Sequence, residues 1–360
     1  MASTGLNFNN LTPDNGAVRD LRKLIFLAVL GADQIGAIVN VLPKQKHGEK
    51  VGFVGEFGLI GKASTKCNPV FDNDIMSTSE KTWDIPEWEV AEKICYADLE
   101  GTLAQVAMKT GTDIADLTGS DYIDHVVLPR LELAIRKMLL RFVWFGDKAA
   151  KVVSEGGILK AGTDVSKFTV TDGLWKRIYS LVAADGARHT AIAANSETSW
   201  AAQKAAFRAA GVATDTLDNL ISDASLVLRQ QPNGVIYITQ AFKDALDRDI
   251  KANNKGSDMQ WEALFDGIKK STYNGIEIVV VPFWDEIIQG YEGTANANQY
   301  NKPFRALYTV KDNLLAGVES DSELADIEIW FNRDEQLNKI HAKDKIGTLI
   351  AQDDLVQVAY

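Results

Sequence analysis

The chain has 360 residues, 46% of them hydrophobic and 24% charged, an ordinary globular composition at a length that calls for two or three lobes. Its formal net charge of −11 argues against a sequence-reading nucleic-acid binder, which would carry a basic face. The two cysteines, Cys67 and Cys95, make no CxxC pair and no disulfide framework, which fits a reducing compartment.

Residues 1–16 are polar and Asn-rich and read as a loose arm. Asp20–Leu30 reads as an amphipathic helix. Arg19, Arg22 and Lys23 before the run Leu24–Leu30 mimic a signal peptide. The run is too short for a membrane span, which needs about 20 apolar residues, and Asp33, Gln34 and Asn40 break the apolar character of the next ten residues. A strand is expected near Ile35–Leu42, then a polar break at Lys44–Lys50. In Val51–Gly61 glycine recurs at 52, 55, 58 and 61 among β-prone residues, a pattern of bends and close backbone approach. A turn-rich stretch runs from Lys62 to Ser79. Lys81–Val90 then carries Trp83, Ile85 and Trp88. Together these segments read as a long extended arm of two strand systems with little core of its own. Trp83 and Trp88 are either interface anchors, a frequent role for tryptophan, or packing against this chain's own long helix. Both readings stay open.

Leu99–Lys109 is expected to be a helix. The strongest helical signal runs from the cap cluster Thr118-Gly119-Ser120-Asp121 to Gly146-Asp147. Within it Val127, Leu131, Ile135, Met138, Phe142 and Phe145 recur at three and four, giving a helix of roughly 37 Å. Pro129 predicts a kink near Ile123–His125 or a start at Leu128. Further helices are expected at Gly173–Val182, Ser199–Ala210, Asp215–Arg229 and Gln240–Ile250, the last capped by Thr239. Val235–Ile238 and Ile276–Val281 read as buried strands. The chain ends in strand candidates Ile327–Phe331, Lys345–Ile350 and Leu355–Tyr360, the last with Val356, Val358 and Tyr360 at period two.

No catalytic pattern emerges. Gly61-Lys62 lacks the other positions of a phosphate loop, since Glu56 and Ala63 stand there. His47, His125, His189 and His341 lie far apart with no metal-ligand spacing. Asp244, Asp247 and Asp249 read as acidic surface, and Asp72-Asn73-Asp74 has no calcium loop after it. The expectation is a non-enzyme with no cofactor, no metal site and no membrane partner.

Taken in order, the segments resemble the major capsid protein of tailed bacteriophages. That resemblance implies an α+β fold with an N-terminal arm (1–45), an E-loop (46–100), a P-domain on a long spine helix (101–175), an A-domain (176–320) and returning P-domain strands (321–360). Lys81-Thr82-Trp83 to Trp88-Glu89-Val90, Tyr96–Thr102 and Gly111–Gly119 look closest to capsid proteins from phages and prophages of Bacteroidetes-type gut hosts. The resemblance implies a structural subunit, made in the host bacterial cytoplasm, that self-assembles through hexamers and pentamers into an icosahedral virion shell around double-stranded DNA. A separate scaffolding protein and a portal would be its partners. Intersubunit contacts would fall on Trp83, Trp88, Phe53 and Phe57. The alternatives are an encapsulin-type nanocompartment shell, which shares the fold, and a soluble α/β enzyme. From Asp312 to Tyr360 eleven acidic residues face four basic ones, so DNA contact is expected to be weak and non-specific.

Overall fold

A computed structural model describes residues 38–54, 78–95, 128–150, 159–209, 211–252, 262–265, 268–293, 300–319, 328–332 and 337–360. The expected helices at Asp20–Leu30 and Leu99–Lys109, and the first part of the long helix, lie outside these residues.

A seven-stranded sheet forms the centre. Its order is β5 (His189–Thr190), β14 (Val356–Ala359), β10 (Ala306–Val310), β6 (Gly234–Ile238), β9 (Ile276–Val280), β8 (Ile268–Tyr273) and β7 (Glu262–Phe265). Successive side chains of a strand point to opposite faces, and here both faces are covered. Val235, Tyr237, Val279, Leu307, Val356 and Val358 face one apolar cluster. Ile236, Ile238, Ile278, Val280, Ala306 and Tyr308 face another. This explains why these strands read as continuous apolar runs instead of an alternation.

The first cluster is closed by α1 (Leu128–Phe145), α2 (Leu174–Ala184) and α7 (Pro282–Tyr291). Its centre is aromatic: Trp284 meets Trp144 and Trp175 edge-on, with ring centroids 4.7 and 4.8 Å apart, a favoured geometry for ring quadrupoles. Ile135, Phe142 and Phe145 of the sequence stripe are buried there. The second cluster is closed by α3 (Trp200–Phe207), α4 (Val212–Asp223) and α6 (Gln240–Ala252). The single helix expected over Asp215–Arg229 is instead α4 followed by a separate turn, α5 (Leu226–Arg229). Ala224 is extended, and the Ser225 hydroxyl accepts from Leu228 N at 3.1 Å, so a serine cap restarts the helix. Pro282 follows the end of β9 and opens α7 in its first turn, where its missing N–H costs nothing.

A five-stranded sheet joins β1 (Asn40–Leu42), β11 (Leu314–Val318), β13 (Leu337–Ile350), β12 (Glu328–Asn332) and β4 (Glu87–Cys95). β13 organises it. Its first part pairs with β12 and with all nine residues of β4, and its last five residues pair with β11. Two expectations are corrected here. The final strands do not close one sheet, because β12 and β13 belong to the five-stranded sheet while β14 pairs β10 and β5 in the other. The segment expected as one arm over 46–100 does not stay apart from the body either, because its strand β4 is built into the five-stranded sheet.

Candidate assembly arm and its root

What projects from the body is the two-stranded pair β2 (Lys50–Val54) and β3 (Thr78–Thr82). Its register runs from Lys50 opposite Thr82 to Val54 opposite Thr78, and among the described residues neither strand joins another sheet. Its described side chains are mostly in water. Val54 is 66% exposed, a Cβ placed on Gly52 would meet nothing within 4 Å, and Lys50 Nζ pairs with Glu80 Oε2 at 2.8 Å on the exposed face. A two-stranded ribbon with no packed face is marginal in water, so its order comes from its root.

The root is Trp83-Asp84-Ile85, and two glycines make room for it. Gly317 of β11 and Gly347 of β13 stand opposite each other in the ladder. A Cβ on Gly317 would lie 2.8 Å from the Trp83 ring. One on Gly347 would collide with the Asp84 carbonyl oxygen and approach Ile85 Cγ1 to 2.9 Å. Trp83 and Ile85 fill this slot with Leu315 and Leu349, and Val51 packs at the edge. Backbone bonds complete the seat: Gly48 N to Trp83 O and Trp83 N to Glu49 O, both 2.8 Å, and Ile346 N to Pro86 O at 3.2 Å.

Charged groups surround the slot. Asp84 forms an ion pair with Lys148, and His47 Nδ1 lies 3.5 Å from its other oxygen. Lys81, the penultimate residue of β3, reaches Ile350 O at 2.8 Å and Asp353 Oδ1 at 2.5 Å. Beside it a cleft of about 390 Å³ is lined by Lys81, Asp172, Lys176, Arg177 and Asp353 over Leu349. Arg177 Nε donates to Thr348 Oγ1 at 2.9 Å. Burial lowers the pKa of Arg177, while Asp172 and Asp84 act to raise it.

The sequence candidates separate on this geometry. Trp83 is 0% and Trp88 2% exposed, both covered by this chain. Trp88 joins the cluster that includes the long helix α1, whereas Trp83 packs with Ile85, Leu315 and Leu349 away from that helix. Phe53 and Phe57 have side chains outside the described set. The acidic-surface reading fails at Asp249, which is buried. Its carboxylate accepts from Gly211, Ala213 and Thr214 amides at 3.0–3.4 Å and so caps α4 from α6. The β2–β3 arm offers a held, exposed ribbon, which is a means of contact more than of chemistry. Among the described residues no three His, Cys, Asp or Glu side chains converge on a possible metal position, and no helix is long and apolar enough to cross a membrane.

No protein-family model matches the chain, and no curated protein matches it. Solved structures do. A protein of Gordonia phage Cozz superposes with a TM-score of 0.51 at 11% identity, covering 90% of this chain and 85% of that one. A protein of Mycobacterium phage Ogopogo gives 0.50 at 10% identity over 92% of each chain. The chain shares the mixed helix-and-sheet fold of these two phage proteins. The capsid of a native GTA particle, with a TM-score of 0.48 and 10% identity, spans 100% of this chain and 94% of its own. Within this fold, the central sheet with helices on both faces and the two-stranded ribbon come from the elements described above. These structures lend no support to a closer kinship with phages of gut bacteria.

Proposed function

We propose that this chain is a major capsid protein, the repeated subunit of an icosahedral phage shell around double-stranded DNA. The observation that carries the reading is the β2–β3 arm, whose described residues Gly52, Val54, Glu80 and Thr82 are exposed and whose described contacts with the body lie at its root. Such a ribbon gains stability by lying on another copy. Individually weak contacts suffice, because closure of a shell multiplies them. In this reading the ribbon corresponds to the family's E-loop and α1 to its spine helix. Contacts to a neighbour fall on the ribbon, with the exposed Val54 and the sequence candidates Phe53 and Phe57 as their residues. Trp83 and Trp88 act as its foundation. The role is structural and non-enzymatic, and the place of action is the virion, with a scaffolding protein and a portal as assembly partners.

Light scattering and electron microscopy of the full chain, alone and with its scaffolding partner, test this. Hexamers, pentamers or closed shells are expected. A strict monomer at every concentration with the scaffold present would overturn it.

A further inference from the structure

We propose that His47 is a protonation-sensitive latch at the root of the arm. His47 lies in the turn just before β2. Its Nδ1 is 3.2 Å from the amide nitrogen of Ile85 and 3.5 Å from Asp84 Oδ1. These two partners ask opposite things of one nitrogen. The Ile85 N–H needs a lone pair there, and the carboxylate needs a proton there. A neutral imidazole protonated on Nε2 serves Ile85. A second proton fills the Nδ1 lone pair, removes the acceptor from Ile85 and makes the same edge a donor to Asp84. Imidazole is the side chain that ordinarily exchanges this proton between about pH 5 and 8.

Other charged groups stand around the ring. Asp84 Oδ2 is engaged by Lys148 from the turn after α1, so Oδ1 is the oxygen that faces the ring. Arg177 of α2 acts on Asp84 from further away, with Asp172 nearby. In the histidine's own turn the Glu49 carboxylate is turned to Lys46 N at 3.1 Å. The ring is largely exposed, so the proton has access from solvent.

The turn is mechanically coupled to the arm. Gly48 and Glu49 hold Trp83 by two backbone bonds, and β2 begins at the next residue, Lys50. Gly48 has φ 80°, a left-handed conformation that glycine adopts without strain, and it provides the pivot. The neutral ring ties this turn to the backbone of the root. The protonated ring releases Ile85 and re-seats the turn on the Asp84 side chain. Protonation thereby resets how the arm is held. The latch belongs to the subunit alone; its use in assembly rests on the capsid reading.

Hydrogen exchange of the full-length protein, read by mass spectrometry at about pH 7.5 and about pH 5 and corrected for intrinsic rates, tests the latch. The Ile85 amide is expected to exchange about tenfold faster at the lower pH, the effect of losing one hydrogen bond. H47N keeps a side-chain acceptor without a titrating ring, and its Ile85 protection should be the same at both values. H47A should lose protection at both. Equal protection of the wild type at the two pH values, or a pH step that survives in H47N, overturns the proposal. Electron microscopy of the same samples reads assembly separately: a missing shell with the pH step intact counts against the capsid reading and leaves the latch standing.

Discussion

Gly347 and Gly317 show how the absence of a side chain can hold a structure together. Glycine inside a strand weakens it and often marks the close approach of another backbone. Here the approaching backbone is the root of the arm. In G347A the new methyl would meet the Asp84 carbonyl and Ile85, and backbone cannot yield as a flexible side chain can. The expected cost is about 1–3 kcal/mol, typical of overpacking. It should appear as a lower urea midpoint with an altered tryptophan signal from the displaced Trp83.

A second local prediction concerns Asp285. Its carboxylate accepts from Gln240 N at 2.5 Å and Ala241 N at 3.0 Å, and so caps α6 from the first turn of α7. Burial is the larger influence and pushes its pKa up to about 6, against the pull of those two amides. A carboxyl raised in the folded state favours the protonated form there. Its contribution to stability is therefore fullest below about pH 4 and is lost as pH climbs to about 6. The loss is on the order of 3 kcal/mol across that window. In D285N, which retains an acceptor oxygen but not the titration, stability relative to wild type should rise between about pH 4 and about pH 7. Urea denaturation of both proteins at the two pH values checks this, and a difference that does not change with pH would refute it.

Among the elements, the arm and the next strand along the chain have separate jobs. Among the described residues β2 and β3 pair only with each other, whereas β4 forms nine register pairs with β13. The body should not need the ribbon. Replacing Gly52–Glu80 by a short Gly-Ser linker keeps Lys81, Trp83 and Trp88 in place. This variant should keep native circular dichroism and near-native melting but form no shells in electron micrographs. An unfolded variant, or one that still closes normal shells, would show that the ribbon was wrongly separated from the body. A cut extended to Trp88 is a different experiment. It removes the plug of the Gly317–Gly347 slot and should unfold the five-stranded sheet.

For the molecule as a body, charge sets the expected relation to nucleic acid. Phosphate binding depends on Lys and Arg that release counterions, and the chain carries 38 of these against 49 Asp and Glu. Many of the cations are already paired within the fold, as Lys81 is with Asp353, Lys148 with Asp84, and Lys204 and Arg208 with Asp244. A shell subunit of this kind would enclose DNA without gripping it. Fluorescence anisotropy with duplex DNA at physiological salt should show weak, sequence-independent binding. Nanomolar, sequence-selective binding would contradict it.

Periodicity and local caps were sufficient to locate much of this architecture. Val235–Ile238 and Ile276–Val280 are strands because apolar, β-prone runs end in turn residues. Thr239 caps its helix as its position announced, accepting from Phe242 N. These signals act over a few residues, so they survive in the linear chain. Partner choice does not. Val356 and Val358 had to face a core, but only packing placed them on β10 and not beside β13. Asp249 and Asp285 look like surface acids along their own helices. They become caps because the N-termini of other helices, α4 and α6, arrive beside them. Trp83 was poised between interface and core until Gly317, more than two hundred residues further along the chain, supplied the space beneath its ring. A burial pattern specifies that a face must be covered; which distant element covers it is settled by the joint packing of the whole chain, where shape and hydrogen-bond partners are matched together.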